Sequence, residues 1–265
     1  MKEQILSRLT PQYPWADRLH VFDELDSTND RLKALARQGA PHGTVLIADR
    51  QTGGHGRLGR SFHSPGGMGV YLSILLRPQC APQELMHLTC ATAVAMCDAV
   101  ENACSLRPSI KWTNDLVYGT QKLGGILTEL GLSPQGRVDY AIIGIGINCC
   151  QQEESFPADI RPIAGSLAMV TGRDIDRNAV AAAMLKSLHR MSQTLLTGKT
   201  EMLRRYRENC ITLGRDISLV RGDEVRHGTA LDLDEEGALI VRFPDGHVET
   251  VNSGEVSVRG MYGYI

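Results

Sequence analysis

The chain changes texture once, near Leu213, and that change constrains its fold more than any single motif. Before it, apolar runs such as GTVLIADR (43–50), GVYLSILLRP (69–78) and YAIIGIGIN (140–148) alternate with stretches of helical spacing. After it come ISLVRG, TALDLD, ALIVRF and HVETV, separated by Arg-Gly-Asp, Glu-Glu-Gly, Pro-Asp-Gly and Ser-Gly-Glu turns. Four or five short strands in about 50 residues fit a small barrel. Mixed strands and helices followed by an all-β piece make an α+β chain, divided at 1–212 and 213–265.

Within the first part, DSTNDRLKALARQG (26–39) reads as a helix capped by Asp26 or Ser27 and stopped by Gly39. Residues 82–104, 177–196 and 199–210 are also helical in pattern, with Met184 and Met191 spaced to face a core. SIKWTND (109–115), KLGGILTEL and YAIIGIGIN read as strands, the first two paired through a turn at Gly119-Thr120. Strand alternation through 111–115 puts Lys111, Thr113 and Asp115 on one side and Trp112 and Asn114 on the other.

Composition narrows the functional classes. A net charge of −2 gives no global case for nucleic-acid binding. No run of 18 apolar residues and no signal-peptide pattern occurs, so a membrane span and secretion are not expected. Seven cysteines without C-x-x-C spacing suggest neither a disulfide framework nor zinc and suit a reducing cytoplasm. Cys90, Cys97 and Cys104 recur at one helix face as small hydrophobes, and the histidines show no metal spacing.

Residues 54–59, GHGRLG, formally match the dinucleotide fingerprint G-x-G-x-x-G. That fingerprint needs a helix directly after it and an acid about 20 residues on. Here SFHSPGG follows and position 79 is Gln, so dinucleotide binding is rejected. Neither a P-loop nor the HRD and DFG sequences of a kinase are present. Gly53, Gly54, Gly56 and Gly59 interleave with Arg57 and Arg60. Such a loop is equally an anion cradle or a mobile surface segment with solvated arginines. KWTND and KLGGILTE tip the balance, because they concentrate lysines, an amide and a carboxylate beside an aromatic ring. Lys122, directly before a double glycine, can point along the sheet into space that the missing side chains leave open.

Taken in order, DSTN (26–29), Gln51 with GHGRLGR (54–60), KWTND, KLGGILTE and GIGIN (144–148) give a pattern that resembles the biotin protein ligases. The resemblance spans nearly the whole chain, through the closing GEVSVR, and is to the short form that lacks an N-terminal DNA-binding domain. It implies a catalytic domain like those of class II aminoacyl-tRNA synthetases and biotin synthetase, a mixed sheet with flanking helices, plus a small C-terminal SH3-like barrel. It also implies that Ser27, Thr28, Asn29, Gln51 and the Gly54–His55–Gly56–Arg57 backbone hold biotin, with Lys122 on its carboxylate and the adenylate phosphate. Arg57, Arg60, Phe62, Trp112, Asn114, Lys122, Asn148 and Arg259 would serve ATP and the adenylate, and Lys122, Arg57 and Asp115 catalysis. Substrates would be biotin and ATP with Mg²⁺, and the acceptor a lysine of the biotin carboxyl carrier protein of acetyl-CoA carboxylase. Neither DNA, a membrane nor a protein-held metal is expected, and the chain would be a monomer or homodimer.

Three departures from the family pattern stand out. His55 replaces a common arginine, Thr113 the proline of KWPND, and Phe62 a tryptophan of some members. The rival readings are a lipoate or octanoate ligase or transferase of the same fold, and a non-catalytic biotin-sensing regulator.

Overall fold

The computed structural model describes residues 1–252 and 257–260, the side chains of Ser257 and Arg259 excepted. After α1 (Lys2–Leu6), β1 (Leu19–Leu25) leads into α2 (Thr28–Arg37), β2 (Thr44–Gln51) and β3 (Gly69–Leu76). Then follow α3 (Leu88–Cys104), β4 (Ser109–Lys111), β5 (Asp115–Tyr118), β6 (Gln121–Leu132) and β7 (Val138–Asn148). The helices α4 (Leu167–Thr171), α5 (Arg177–Thr194) and α6 (Lys199–Asn209) precede five further strands. These are β8 (Asp216–Arg221), β9 (Glu224–Leu233), β10 (Leu239–Arg242), β11 (Val248–Val251) and β12 (Ser257–Gly260).

The first seven strands form one mixed sheet in the order β1-β2-β3-β7-β6-β5-β4. Only β1 and β2 pair in parallel, which fits their connection through α2. The other pairs are antiparallel, and β3 and β7 carry the apolar runs that a sheet centre requires. The last five strands make a small antiparallel sheet, β11-β10-β9-β8-β12. The α+β architecture with a mixed sheet and a separate small β unit is therefore the observed one. One apolar core runs from α3 and α5 over the large sheet and on to Ile217, Leu219 and Val241 of the small one. Cys90, Cys97, Cys104, Met184 and Met191 are all buried in it.

One local reading changes. Residues 109–115 are not one strand: β4 ends at Lys111, the chain turns through Trp112–Asn114, and Asp115 starts β5 directly opposite Lys111. Alternation through 111–115 therefore fails, because a tight turn replaces the extended backbone that alternation assumes. The Gly119 turn joins β5 to β6, and Gly119 takes the left-handed conformation (φ 54°) that the turn demands. The edge strand β1, LHVFDEL, is an element the sequence pattern did not mark, because its mixed polar pattern carries no strong strand signal.

Candidate functional site

The glycine–arginine loop connects two neighbouring antiparallel strands, β2 and β3, and forms a folded-back flap. The Phe62 N–H donates to the Gly54 carbonyl (2.9 Å) and the Gly56 N–H to the Arg60 carbonyl (2.7 Å). At the tip Leu58 is left-handed (φ 57°) and 59% exposed, and Gly59 follows with φ 70°. A Cβ on Gly54 would sit 2.8 Å from the Phe62 carbonyl oxygen, so the flap closes on itself only with glycine there.

Beneath the flap lies a cavity of about 600 Å³, well within the range of small-molecule sites. Every described residue expected at the site borders it except Gly54. Arg259 pairs through its backbone with Ser218, and its side chain lies outside the described residues.

One end of the cavity is a closed hydrogen-bonded network. Ser27 caps α2, its hydroxyl accepting from the Asp30 N–H (3.3 Å). The Thr28 N–H and hydroxyl both donate to Gln51 Oε1, at 2.9 and 3.0 Å, while Gln51 Nε2 donates to Ser64 Oγ (3.1 Å). Ser73, wholly buried in β3, lies 2.7 Å from Thr28 Oγ1 and 2.5 Å from Asn29 Oδ1. Asn29 Nδ2 donates to Glu129 Oε2 (2.9 Å), and Lys33 pairs with Glu129 and Asp30. Burial pulls the Lys33 pKa down, but its hydrogen bonds to those two carboxylates outweigh this and leave it above the usual lysine range. A Cβ on Gly144 would fall 2.1 Å from Asn29 Oδ1, so the first glycine of GIGIN is what lets Asn29 in. Ser73, Glu129 and Lys33 belong to no site expected from sequence. The signal for Ser73 was a serine inside a wholly buried, mainly aliphatic strand, where its hydroxyl must find a partner.

The other end is charged. Lys122 Nζ donates to Asp115 Oδ1 at 2.6 Å, and Arg57 Nη1 donates to Asn114 Oδ1 at 2.9 Å. Asn114 Nδ2 reaches the Ile126 carbonyl (3.1 Å) and Asp115 Oδ1 (3.2 Å), tying the turn to β6. Burial holds the Arg57 guanidinium below its usual pKa, against the charge of Asp115, and it remains a cation. The two glycines after Lys122 serve different ends. A Cβ on Gly124 would meet the Gly146 carbonyl at 2.5 Å, whereas Gly125 borders the cavity with Lys122 Nζ and Asp115 beside it. Backbone bonds fix Lys122 from the outside: its N–H donates to the Ile163 carbonyl (2.7 Å) and its carbonyl accepts from the Gly165 N–H (2.9 Å).

Supporting residues surround this end. Phe62 lies over Gly146, where a Cβ would be 2.4 Å from its ring. Asn148 spends both ends of its amide inside the protein, on the Gly165 carbonyl and on Gln151 Nε2. Trp112 is 4% exposed, and its indole N–H donates to the Gly237 carbonyl of the small sheet (3.0 Å). Its backbone N–H donates to Thr212 Oγ1 (2.9 Å), and Tyr206 in α6 donates to the Thr113 carbonyl (3.1 Å). Arg60 is exposed on the flap, and His55 Nδ1 lies 3.2 Å from the Gly53 carbonyl and 3.7 Å from Asp30. His63 is anchored to the Ser155 carbonyl at 3.1 Å.

Such a cavity takes a neutral polar group at one end and anionic groups at the other. Several known proteins are similar to the chain in sequence and fold. Residues 21–148 match the model of the biotin/lipoate A/B protein ligase family, and residues 212–259 that of the biotin protein ligase C terminal domain. The bifunctional ligase/repressor BirA of Bacillus subtilis (strain 168) is 35% identical over 241 residues, covering 91% of this chain and 74% of that protein. The biotin--[acetyl-CoA-carboxylase] ligase of Paracoccus denitrificans is 30% identical over 241 residues, covering 89% and 98%. The solved biotin protein ligase of Aquifex aeolicus, in complex with biotin and ATP, superposes with a TM-score of 0.77 at 33% identity, covering 91% and 98% of the two chains. On the shared sequence, fold and domain pair, the chain belongs to the biotin/lipoate A/B protein ligase family.

Proposed function

We propose that the chain is a biotin–[acetyl-CoA-carboxylase] ligase: it activates biotin with ATP as biotinyl-5′-AMP and passes biotin to a lysine of the carboxyl carrier protein. The observation that carries this reading is the two-ended cavity, with Thr28, Asn29 and Gln51, backed by the buried Ser73, at one end and Lys122, Arg57, Asn114 and Asp115 at the other. A cyclic urea needs donors and acceptors at a buried end, and a fatty or dithiolane acid does not. The polar closed end therefore favours biotin over lipoate and octanoate, since buried polar groups left unpaired by an apolar ligand are costly.

In the first step biotin's carboxylate attacks the α-phosphorus of ATP, and pyrophosphate leaves. A carboxylic acid of pKa about 4 is already ionised at neutral pH, so the obstacle is repulsion between anions and not proton transfer. Lys122 and Arg57 offset that repulsion and stabilise charge on the phosphoryl oxygens. Magnesium enters with the nucleotide as MgATP. Among the described residues no group of three or more His, Cys, Asp or Glu could cage an ion, and Asp115 is the one described carboxylate on the cavity wall. A single carboxylate plus substrate phosphates is an ordinary way to hold Mg²⁺.

In the second step the carrier lysine attacks the acyl carbon and AMP leaves. The amine has a free pKa of about 10.4 and must lose its proton near the anhydride. Asp115 lies where it can orient that amine once Lys122 turns to the phosphate. The flap over residues 52–64 shields the anhydride from water. The chain would act in the cytoplasm, where its seven free cysteines stay reduced. Among the described residues no helix is long and apolar enough to cross a membrane.

The test offers purified protein MgATP and a carrier domain, with biotin, lipoate and octanoate supplied separately. Carrier mass should rise with biotin alone. Pyrophosphate release with none of the three acids would sink the reading, and a gain with lipoate in place of biotin would reassign the substrate.

A further inference from the structure

The hydrogen bonds at the closed end have a direction, and one carboxylate sets it. Glu129 is ion-paired to Lys33 at 2.9 Å and, as a carboxylate, has acceptors only. It therefore takes the donor end of the Asn29 amide, Nδ2, at 2.9 Å. That choice turns Asn29 Oδ1 towards Ser73, 2.5 Å away. The Ser73 hydroxyl has one proton and two acceptors in reach, Asn29 Oδ1 at 2.5 Å and Thr28 Oγ1 at 2.7 Å. The Thr28 hydroxyl proton is directed to Gln51 Oε1 at 3.0 Å, which leaves its oxygen to accept from Ser73. Rotation of the Asn29 amide would set a donor against Ser73 and an oxygen against the Glu129 carboxylate, both within a shell where Asn29 is 5% exposed and Ser73 fully buried. With one lone pair committed to Ser73, Asn29 Oδ1 keeps the other for a ligand donor.

We propose that Glu129, held by Lys33, is a positioning residue that fixes the donor–acceptor sense of the closed end and so selects a cyclic urea, whose ring N–H groups donate, over isosteres bearing an acceptor there. This rests on the biotin ligase reading. Glu129→Gln keeps the shape but supplies both a donor and an acceptor, so the Asn29 amide is free to turn either way.

The discriminating substrates are biotin and its two cyclic carbamate analogues, in which a ring oxygen replaces one or other ureido N–H. These are neutral and nearly isosteric, and they differ from biotin by one donor turned acceptor. Pyrophosphate release with MgATP is measured for wild type, Glu129→Gln and Glu129→Asp. Wild type should prefer biotin over at least one carbamate by tenfold or more, the size of a buried donor–acceptor mismatch. In Glu129→Gln that ratio should fall about tenfold, mostly through KM with kcat little changed. Glu129→Asp, which keeps an acceptor-only group, should restore much of it. If Glu129→Gln slows all substrates equally and leaves the ratio untouched, the role is merely structural and the proposal is overturned. A wild-type enzyme that does not discriminate among the three overturns it as well. Should Glu129→Gln fail to fold, Lys33→Met gives the second reading: loss of the cation that holds Glu129 against the Asn29 amide should lower the same ratio. An unchanged ratio there also refutes the proposal. Failure of wild type to turn over biotin at all would instead refute the ligase reading.

Discussion

The closed and the charged ends of the cavity are built by opposite means. At the closed end each polar atom is bonded to a neighbour before any ligand arrives: Thr28 to Gln51, Asn29 to Glu129, Ser73 to both Thr28 and Asn29. Little there has to move, and recognition is by a preset pattern. At the charged end the groups are paired with each other, Lys122 with Asp115 and Arg57 with Asn114, and on the proposed reading those pairs open when phosphate arrives. The partners keep cations and carboxylate oriented until charge develops. On that reading a neutral ring would be met by rigidity and a moving charge by exchangeable partners.

The largest effect that could break this contrast is at Lys122. Lys122→Ala should cut pyrophosphate release by about 10²–10³-fold, the usual loss when one stabilising donor is removed from a transition state. Biotin binding by calorimetry should weaken far less; an equal loss in both would mean that the charged end also carries ground-state binding. Next comes Ser73→Ala, which leaves Asn29 Oδ1 or Thr28 Oγ1 short of a buried donor. A cost of about 1–3 kcal/mol predicts biotin KM raised by roughly one to two orders of magnitude with kcat nearly kept. A fall in kcat at constant KM would reverse the assignment of the two ends. Arg57→Gly removes the tie between flap and Asn114 and should let activated biotin escape. Labelling of a bystander protein relative to the carrier should rise about tenfold, the scale of a charge-assisted hydrogen bond. Unchanged selectivity would show that the flap retains the adenylate without Arg57.

The smallest effect lies in the body of the protein. His42, His87 and His189 are each held below the usual histidine range, chiefly by burial. Their depressed folded pKa values mean that the unfolded chain takes up protons first. The stability they contribute is complete above about pH 6.5 and lost as pH falls towards the folded values. The melting temperature should drop between pH 7.5 and 5.5, and His87→Gln should lessen the drop. An identical drop in that variant would move the cause to other groups.

Several of these features were legible in the sequence because local chemistry determines them. Ser27 before a helical stripe named its own cap, and the apolar run 69–76 named a buried strand. The loop 53–67 announced by its continuation, SFHSPGG, that no helix followed. What stayed hidden depends on partners far along the chain. Lys111 and Asp115 read as one strand because nothing local marks the turn; α6, through Tyr206, and Thr212 fix it from behind. Glu129 lies 100 residues from Asn29, and Gly144 and Gly146 are explained only by the side chains that sit against them. Trp112 drew notice as an aromatic near the nucleotide, yet its indole nitrogen is committed to a carbonyl 125 positions away.

That last bond has a consequence for anyone recombining these proteins. The carbonyl that receives the Trp112 indole belongs to Gly237, whose φ is +86° and whose missing Cβ would press to 2.9 Å from the Cys90 sulfur. A replacement C-terminal unit must therefore bring a glycine, in the left-handed conformation, to that point over α3. Chimeras that swap the unit alone, between relatives whose turn is a residue longer or lacks the glycine, would lose the brace behind the Lys111–Asp115 turn while both halves still folded. The small unit and α3 form a single cassette for exchange.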